Sequence, residues 1–292
     1  MEIKKIVIGL VQHSCSDNYE ENFNKAESLI RKAAKDGAKI ICTQELFTSH
    51  YFCQTVDYRN YNLAESIPGP TTNRISKLAE ELSIVIICCV FEYAMDGLYF
   101  TSAVVIDADG KILGTYRKHH IPEGPQYFEK YYFAPGDSEY EVFKTRYGNF
   151  GVLICWDQWF PEPTRILALK GADFIFYPSI IGEEPDFPEL DTCTNWIDAV
   201  KAHGIHNNIY IATLNRWGRE DSKNGAGYMS FYGSSFISDP SGKILAKSSK
   251  SKDEALVCEI DLELLKEIRA RRPFLASRRI DSYGEILSME DL

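Results

Sequence analysis

Three residues of complementary chemistry share one placement in this chain. Glu45 follows the apolar run Ile40-Ile-Cys-Thr43, Lys118 follows Gly114-Thr-Tyr-Arg117, and Cys155 follows Val152-Leu-Ile154. Each run reads as a β-strand, and the space just past strand ends is where open α/β sheets hold their ligands. A thiol, a carboxylate and an amine converging there would form a self-contained acyl-transfer site. The carboxylate takes the thiol proton and later returns one to a leaving amine. The ammonium stabilises the oxyanion of a tetrahedral intermediate, together with the backbone N–H of Trp156 at the turn. Glu45 or Lys118 alone is more often a solvated strand-end charge; the three together are more specific.

The flanking sequence places Cys155 at an elbow. Phe150 to Ile154 reads as a buried strand, and Pro161-Glu-Pro-Thr through Lys170-Gly171 reads as a helix with proline at its start and glycine past its end. A cysteine held out of the sheet at such a turn is expected to have its thiolate favoured by the helix start.

The elements that must position these residues follow from hydrophobic period. Strands are expected at Ile6–Val11, Ile40–Cys42, Ile84–Val90, Phe174–Tyr177, Ile209–Leu214 and Ala255–Ile260. Helical stripes are expected after Asp17 and Glu20 up to Gly37, around Ile75–Leu82, over Thr192–His206 and over Leu262–Arg271. Two hairpins with nearly the same turn, Asp107-Ala-Asp-Gly-Lys-Ile-Leu113 and Asp239-Pro-Ser-Gly-Lys-Ile-Leu245, add antiparallel strands. No Gly/Ser/Pro-rich linker divides the chain, so residues 1–271 read as one α/β domain with mixed sheets, followed by a tail at 272–292 with little periodicity.

Composition narrows the function classes. A net charge of -10 argues against nucleic acid or an anionic membrane as partner, since both require a basic footprint. The eight cysteines show neither C-x-x-C pairing nor Cys/His zinc spacing, so neither a metal site nor a disulfide framework is expected. Cys42, Cys88, Cys89 and Cys258 lie in apolar runs and read as inert core thiols, while Cys193 reads as lying in a loop before a helix. No run has the length of a membrane span and the N-terminus lacks a signal-peptide core, which predicts a cytoplasmic, reduced protein.

With these residues in view, the chain resembles the carbon–nitrogen hydrolases of the nitrilase superfamily. That family carries a Glu–Lys–Cys triad in this order, each at a strand end. The resemblance runs from Val7-Ile-Gly-Leu-Val-Gln12 to the late Asp-x-x-Gly turn. It is densest in Gln44-Glu45-Leu46-Phe47, Tyr116-Arg-Lys-His-His-Ile-Pro122 and Cys155-Trp-Asp-Gln-Trp-Phe-Pro-Glu162. It implies an α-β-β-α sandwich with two mixed sheets and no cofactor. In its terms Cys155 is the nucleophile, Glu45 the general base and acid, Lys118 the oxyanion stabiliser, and Glu129 a second glutamate orienting lysine and substrate. Sandwiches of this family pack back to back, which implies a homo-oligomer with the tail at a subunit contact; a monomer on sizing would remove that expectation.

Within the family, His50-Tyr51-Phe-Cys-Gln54, Ile121-Pro-Glu-Gly-Pro125, Glu129-Lys-Tyr-Tyr-Phe133 and Ile181-Gly-Glu-Glu-Pro185 resemble the branch that cleaves N-carbamoylputrescine to putrescine, carbon dioxide and ammonia. The far end of such a carbamoylated amine is an ammonium. The resemblance assigns it to Glu184 and Tyr51, although Glu183 and Asp186 flank Glu184 and any of the three acids could serve. A carbamoyl amino acid or ω-amide is the alternative substrate class, and a homologue that kept the fold but lost the chemistry is the alternative outside enzymes.

Overall fold

The computed structural model describes residues 5–183, 189–225 and 227–288. In chain order, the first half contains β1 (Lys5–Gln12), α1 (Tyr19–Lys35), β2 (Ile40–Thr43), α2 (Pro70–Leu82), β3 (Val85–Met95), β4 (Leu98–Ile106) and β5 (Ile112–Arg117). A short helix α3 (Glu129–Tyr132) precedes β6 (Phe143–Thr145), β7 (Gly148–Val152), α4 (Pro161–Leu169), β8 (Phe174–Pro178), α5 (Thr192–Asn207) and β9 (Tyr210–Leu214). A hairpin of β10 (Trp217–Asp221) and β11 (Tyr228–Tyr232) leads to β12 (Phe236–Ser238), β13 (Ile244–Lys247), β14 (Glu254–Asp261) and α6 (Leu262–Arg271).

Two sheets share one plan. The first runs β14-β1-β2-β3-β4-β5 and the second β13-β12-β9-β8-β7-β6. Each has three parallel strands at its centre, β1-β2-β3 and β7-β8-β9, with antiparallel neighbours outside them. Parallel strands need cover on both faces, and β3 shows how the sequence supplies it. Val85, Ile87 and Cys89 join the cluster that fills the space toward the second sheet, whereas Ile86, Cys88 and Val90 join the cluster under α1 and α2. On the second sheet, Leu167 and Ala168 of α4 and Trp196 and Val200 of α5 belong to the same core as Phe174, Phe176 and Ile211. The layers are therefore α-β-β-α.

Local chemistry explains the boundaries and corrects three expectations. The cap of α1 is Asn18, whose side chain accepts the Glu21 N–H, whereas Asp17 pairs with Lys223 at 2.8 Å. Cys193 lies in the first turn of α5, because Asp191 caps that helix by accepting the Thr194 N–H. Cys258 is half-buried: β14 is an edge strand whose two faces are each partly covered, Leu256 and Cys258 by the cluster between the sheets and Ala255 and Val257 by the cluster under α1 and α2. The hairpin β10–β11 is absent from the sequence reading: Trp217-Gly-Arg-Glu-Asp221 is mostly polar and does not alternate. The two Asp-x-x-Gly turns form alike, with Gly110 N–H on Asp107 O and Gly242 N–H on Asp239 O, both at 2.9 Å.

Candidate active site

The sheets bring the three sequence-selected side chains to one end of the sandwich. Glu45 leaves β2, Lys118 leaves β5 and Cys155 leaves β7, and all three are buried. Lys118 Nζ donates to Glu45 Oε1 at 2.9 Å and to Glu129 Oε2 at 2.6 Å. Glu129, supplied by α3, is itself 1% exposed, and Tyr51 Oη donates to its other oxygen at 2.9 Å. Cys155 Sγ lies 3.6 Å from the Ile180 carbonyl, and the Ile180 N–H points at Glu45 Oε2 at 3.2 Å. One residue after β8, Ile180, thus touches both the thiol and the carboxylate.

Protonation follows from burial and neighbours. Burial raises Glu45 to about 7, with Lys118 acting against the rise and Glu129 adding to it. Burial disfavours the charge on Lys118, but Glu129 and Glu45 outweigh it and its pKa lies above the usual lysine value. Burial, then the charge of Glu45, pushes the Cys155 thiol well above its ordinary value. The sequence expectation of a thiolate favoured by a helix start is therefore corrected. The turn Cys155–Trp159 is 3₁₀ and α4 begins only at Pro161, so that helix's dipole does not begin at the sulfur. Burial and the charge of Glu45 thus both favour the thiol form of Cys155.

The elbow is strained and clamped. Cys155 has φ of 45°, as does Leu46 directly after Glu45, and both are residues for which the left-handed region is unfavourable. Asp157, fully buried, holds the nucleophile turn to the lysine strand. Its Oδ2 accepts from the Ile154 N–H at 2.9 Å and from Tyr116 Oη at 2.8 Å. Its Oδ1 accepts from the His120 N–H at 3.0 Å and contacts His120 Nδ1 at 2.7 Å. From the helix side, His203 Nε2 sits 2.7 Å from the Gln158 carbonyl and Trp196 Nε1 donates to Gln158 Oε1 at 2.7 Å.

A second buried group escaped the sequence reading. Arg216, just past β9, pairs with Glu220 at 2.7 Å and donates to the Leu46 carbonyl at 2.9 Å. Glu220 in turn accepts the Tyr51 N–H at 2.6 Å. Beside it, Asn215 accepts the Ile181 N–H and donates to the Ile181 carbonyl. The signal was present: Asn215 and Arg216 follow an apolar strand as Glu45, Lys118 and Cys155 do.

The remaining expected site residues are placed as follows. Tyr51 is fully buried, and its hydroxyl donates to Glu129. Trp156 is 36% exposed beside the buried Cys155. Glu183 is exposed, with its N–H on the Ser230 carbonyl at 2.9 Å, while Glu184 and Asp186 lie outside the described residues. Gly182 passes so close to β11 that a Cβ there would meet the Ser230 carbonyl at 2.5 Å. Among the described residues no group of three or more His, Cys, Asp or Glu side chains could hold a metal ion, and no helix is long and apolar enough to cross a membrane.

Two mixed sheets with a thiol, two carboxylates and an ammonium at one end define a hydrolase of carbon–nitrogen bonds. The carbon-nitrogen hydrolase family matches residues 7–270, and the chain belongs to that family, within the nitrilase superfamily. It is 42% identical over 289 residues to an N-carbamoylputrescine amidase of Oryza sativa subsp. japonica, covering 98% of this chain and 96% of that one. It is 40% identical over 283 residues to a citrullinase of Francisella tularensis, covering 97% and 98%. The crystal structure of a carbon-nitrogen hydrolase from Helicobacter pylori superposes with a TM-score of 0.93 at 38% identity, covering 98% of this chain and 99% of that one.

Proposed function

We propose that the protein hydrolyses N-carbamoylputrescine to putrescine, carbon dioxide and ammonia, with Cys155 as nucleophile. The observation that carries the chemistry is the fully buried Lys118 shared by Glu45 and Glu129 beside the Cys155 thiol. Glu45 takes the Sγ proton as sulfur attacks the carbamoyl carbon. Lys118 Nζ and the Trp156 N–H receive the oxyanion; the first N–H groups of a 3₁₀ turn have no partner within the turn and are free for that use. As the tetrahedral intermediate collapses, a C–N bond breaks and Glu45 gives its proton to the departing nitrogen. Water, activated by Glu45, then cleaves the resulting S-carbamoyl bond, restoring the thiol and releasing a carbamic acid that breaks down to carbon dioxide and the second amine. Glu129, held by Tyr51, keeps Lys118 aimed at the oxyanion.

The similarity to plant N-carbamoylputrescine amidases supports the diamine. The similarity to a citrullinase favours one alternative, since citrulline also carries a ureido group but ends in an amino acid. Ammonia release from N-carbamoylputrescine, citrulline, N-carbamoyl-β-alanine and glutaramate separates them. Turnover is expected with N-carbamoylputrescine, lowered at least about 10⁴-fold by Cys155→Ala, with Glu184→Gln mainly raising KM. Preference for citrulline or an acidic substrate would retain the triad but overturn the diamine.

A further inference from the structure

A cavity of about 340 Å³ lies against the loop that follows β2. Leu46, His50 and Phe52 of that loop line it, while their sequence neighbours Glu45 and Tyr51 turn instead to Lys118 and Glu129. Phe91 of β3 stacks on Phe52 with ring centroids 5.2 Å apart, and both rings face the same space. Asp17 and Lys223, also among its walls, are an exposed pair at 2.8 Å whose charges cancel.

Glu65 is held differently, by hydrogen bonds at the start of α2 and not by a cation. Its backbone pairs with that of Glu92, and the two carboxylates make a useful contrast. Glu92 is matched by the Arg117 guanidinium and accepts from Ser102 Oγ. Glu65 is half-buried, its Oε2 accepts the Thr71 N–H at 2.7 Å in the first turn of α2, and it has no ion pair among the described residues. Burial raises its pKa, and the Thr71 hydrogen bonds act against that rise. His50, another wall, is pushed below its ordinary value by burial, so it brings no positive charge at neutral pH. Its Nδ1 is buried with no hydrogen-bond partner in the structure. The cavity thus combines a surplus negative charge, two aromatic faces and the hydroxyl-bearing Thr48 and Ser49. An alkylammonium fits each: three N–H donors for carboxylate and hydroxyls, and a chain for the rings.

We propose that this cavity is a second ligand site, taking a protonated primary alkylamine with its ammonium on Glu65 and its chain along Phe52 and Phe91. A contact chain links it to the catalytic end. His50 Nε2 is 3.4 Å from Glu220, Glu220 holds the Tyr51 N–H, and Tyr51 holds Glu129. The site does not depend on which amide the enzyme cleaves.

Calorimetric titration of the full-length protein with n-butylamine hydrochloride near pH 8 tests it, with n-pentanol and butyrate as neutral and anionic probes. The amine alone is expected to bind, weakened at least about tenfold by Glu65→Gln. Ala64→Phe, which narrows the same cavity but keeps the carboxylate, should weaken it as well and serves if Glu65→Gln does not fold. With any turned-over amide, n-butylamine should alter the rate even at saturating substrate, and Glu65→Gln should remove that effect. Binding indifferent to both substitutions, equal binding of pentanol or butyrate, or a purely competitive effect would overturn the site.

Discussion

Two buried ionic clusters lie side by side in this protein and are built on opposite rules. In one, the single ammonium of Lys118 serves two carboxylates, leaving a surplus negative charge next to a thiol. In the other, Arg216 faces one carboxylate, Glu220, and spends another N–H on a backbone carbonyl, while Glu220 also accepts a backbone N–H. The balanced cluster holds chain segments in place, since each charge is matched and tied to the backbone. The unbalanced one has a carboxylate whose proton affinity sits near neutrality, which suits the acid and base role proposed for Glu45. Charge balance, more than burial, separates the scaffold from the reactive centre.

The largest expected effect comes from breaking the balanced pair. Arg216→Met leaves Glu220 buried and unpaired and should cost about 3–5 kcal/mol of stability in urea unfolding. Arg216→Met combined with Glu220→Leu should recover part of that stability but not the activity, because Leu46 and Tyr51 still lose their anchors. Equal stability of the single variant and wild type would show that the cluster does not organise this end. A smaller effect is expected at the Asp157 clamp. An amide oxygen can satisfy only one side of its four contacts, so Asp157→Asn should cost about 1–3 kcal/mol, with kcat falling more than KM rises. An unchanged kcat would detach Asp157 from the nucleophile.

The smallest effect on stability, and the most informative, is expected at Glu129. Glu45 must be ionised to act as base, so kcat/KM should rise as pH increases through about 7. Removing the negative neighbour in Glu129→Gln makes ionised Glu45 easier to form and lowers its pKa. The acid limb should therefore move to lower pH while the plateau rate falls, with no loss of stability near neutrality. A limb that stays in place would mean that it does not report Glu45.

Most of the sandwich was legible because its strands are continuous apolar runs that admit few other readings. Glu45, Lys118 and Cys155 were legible because polar residues directly past such runs are conspicuous. Glu129 had no such signal: it sits on a four-residue helix in an irregular stretch, and only family resemblance pointed to it. Arg216 obeyed the strand-end rule but looked like the start of a polar loop, and its partner Glu220 lies on a hairpin without alternation. Asp157 was read only as a letter in a motif, because a clamp between β5 and the turn after β7 is visible only once the two sheets face each other.

A buried sulfur kept in its protonated form also has a chemical consequence beyond turnover. Oxidants and soft electrophiles in the surroundings react with thiolates, and burial together with Glu45 disfavours that form of Cys155. In the proposed reaction its reactivity is released only when a carbonyl carbon is seated close enough for Glu45 to draw off the proton as the bond forms. Under that proposal the burial that makes the cysteine a poor free nucleophile also protects it between turnovers, giving selectivity by withholding reactivity.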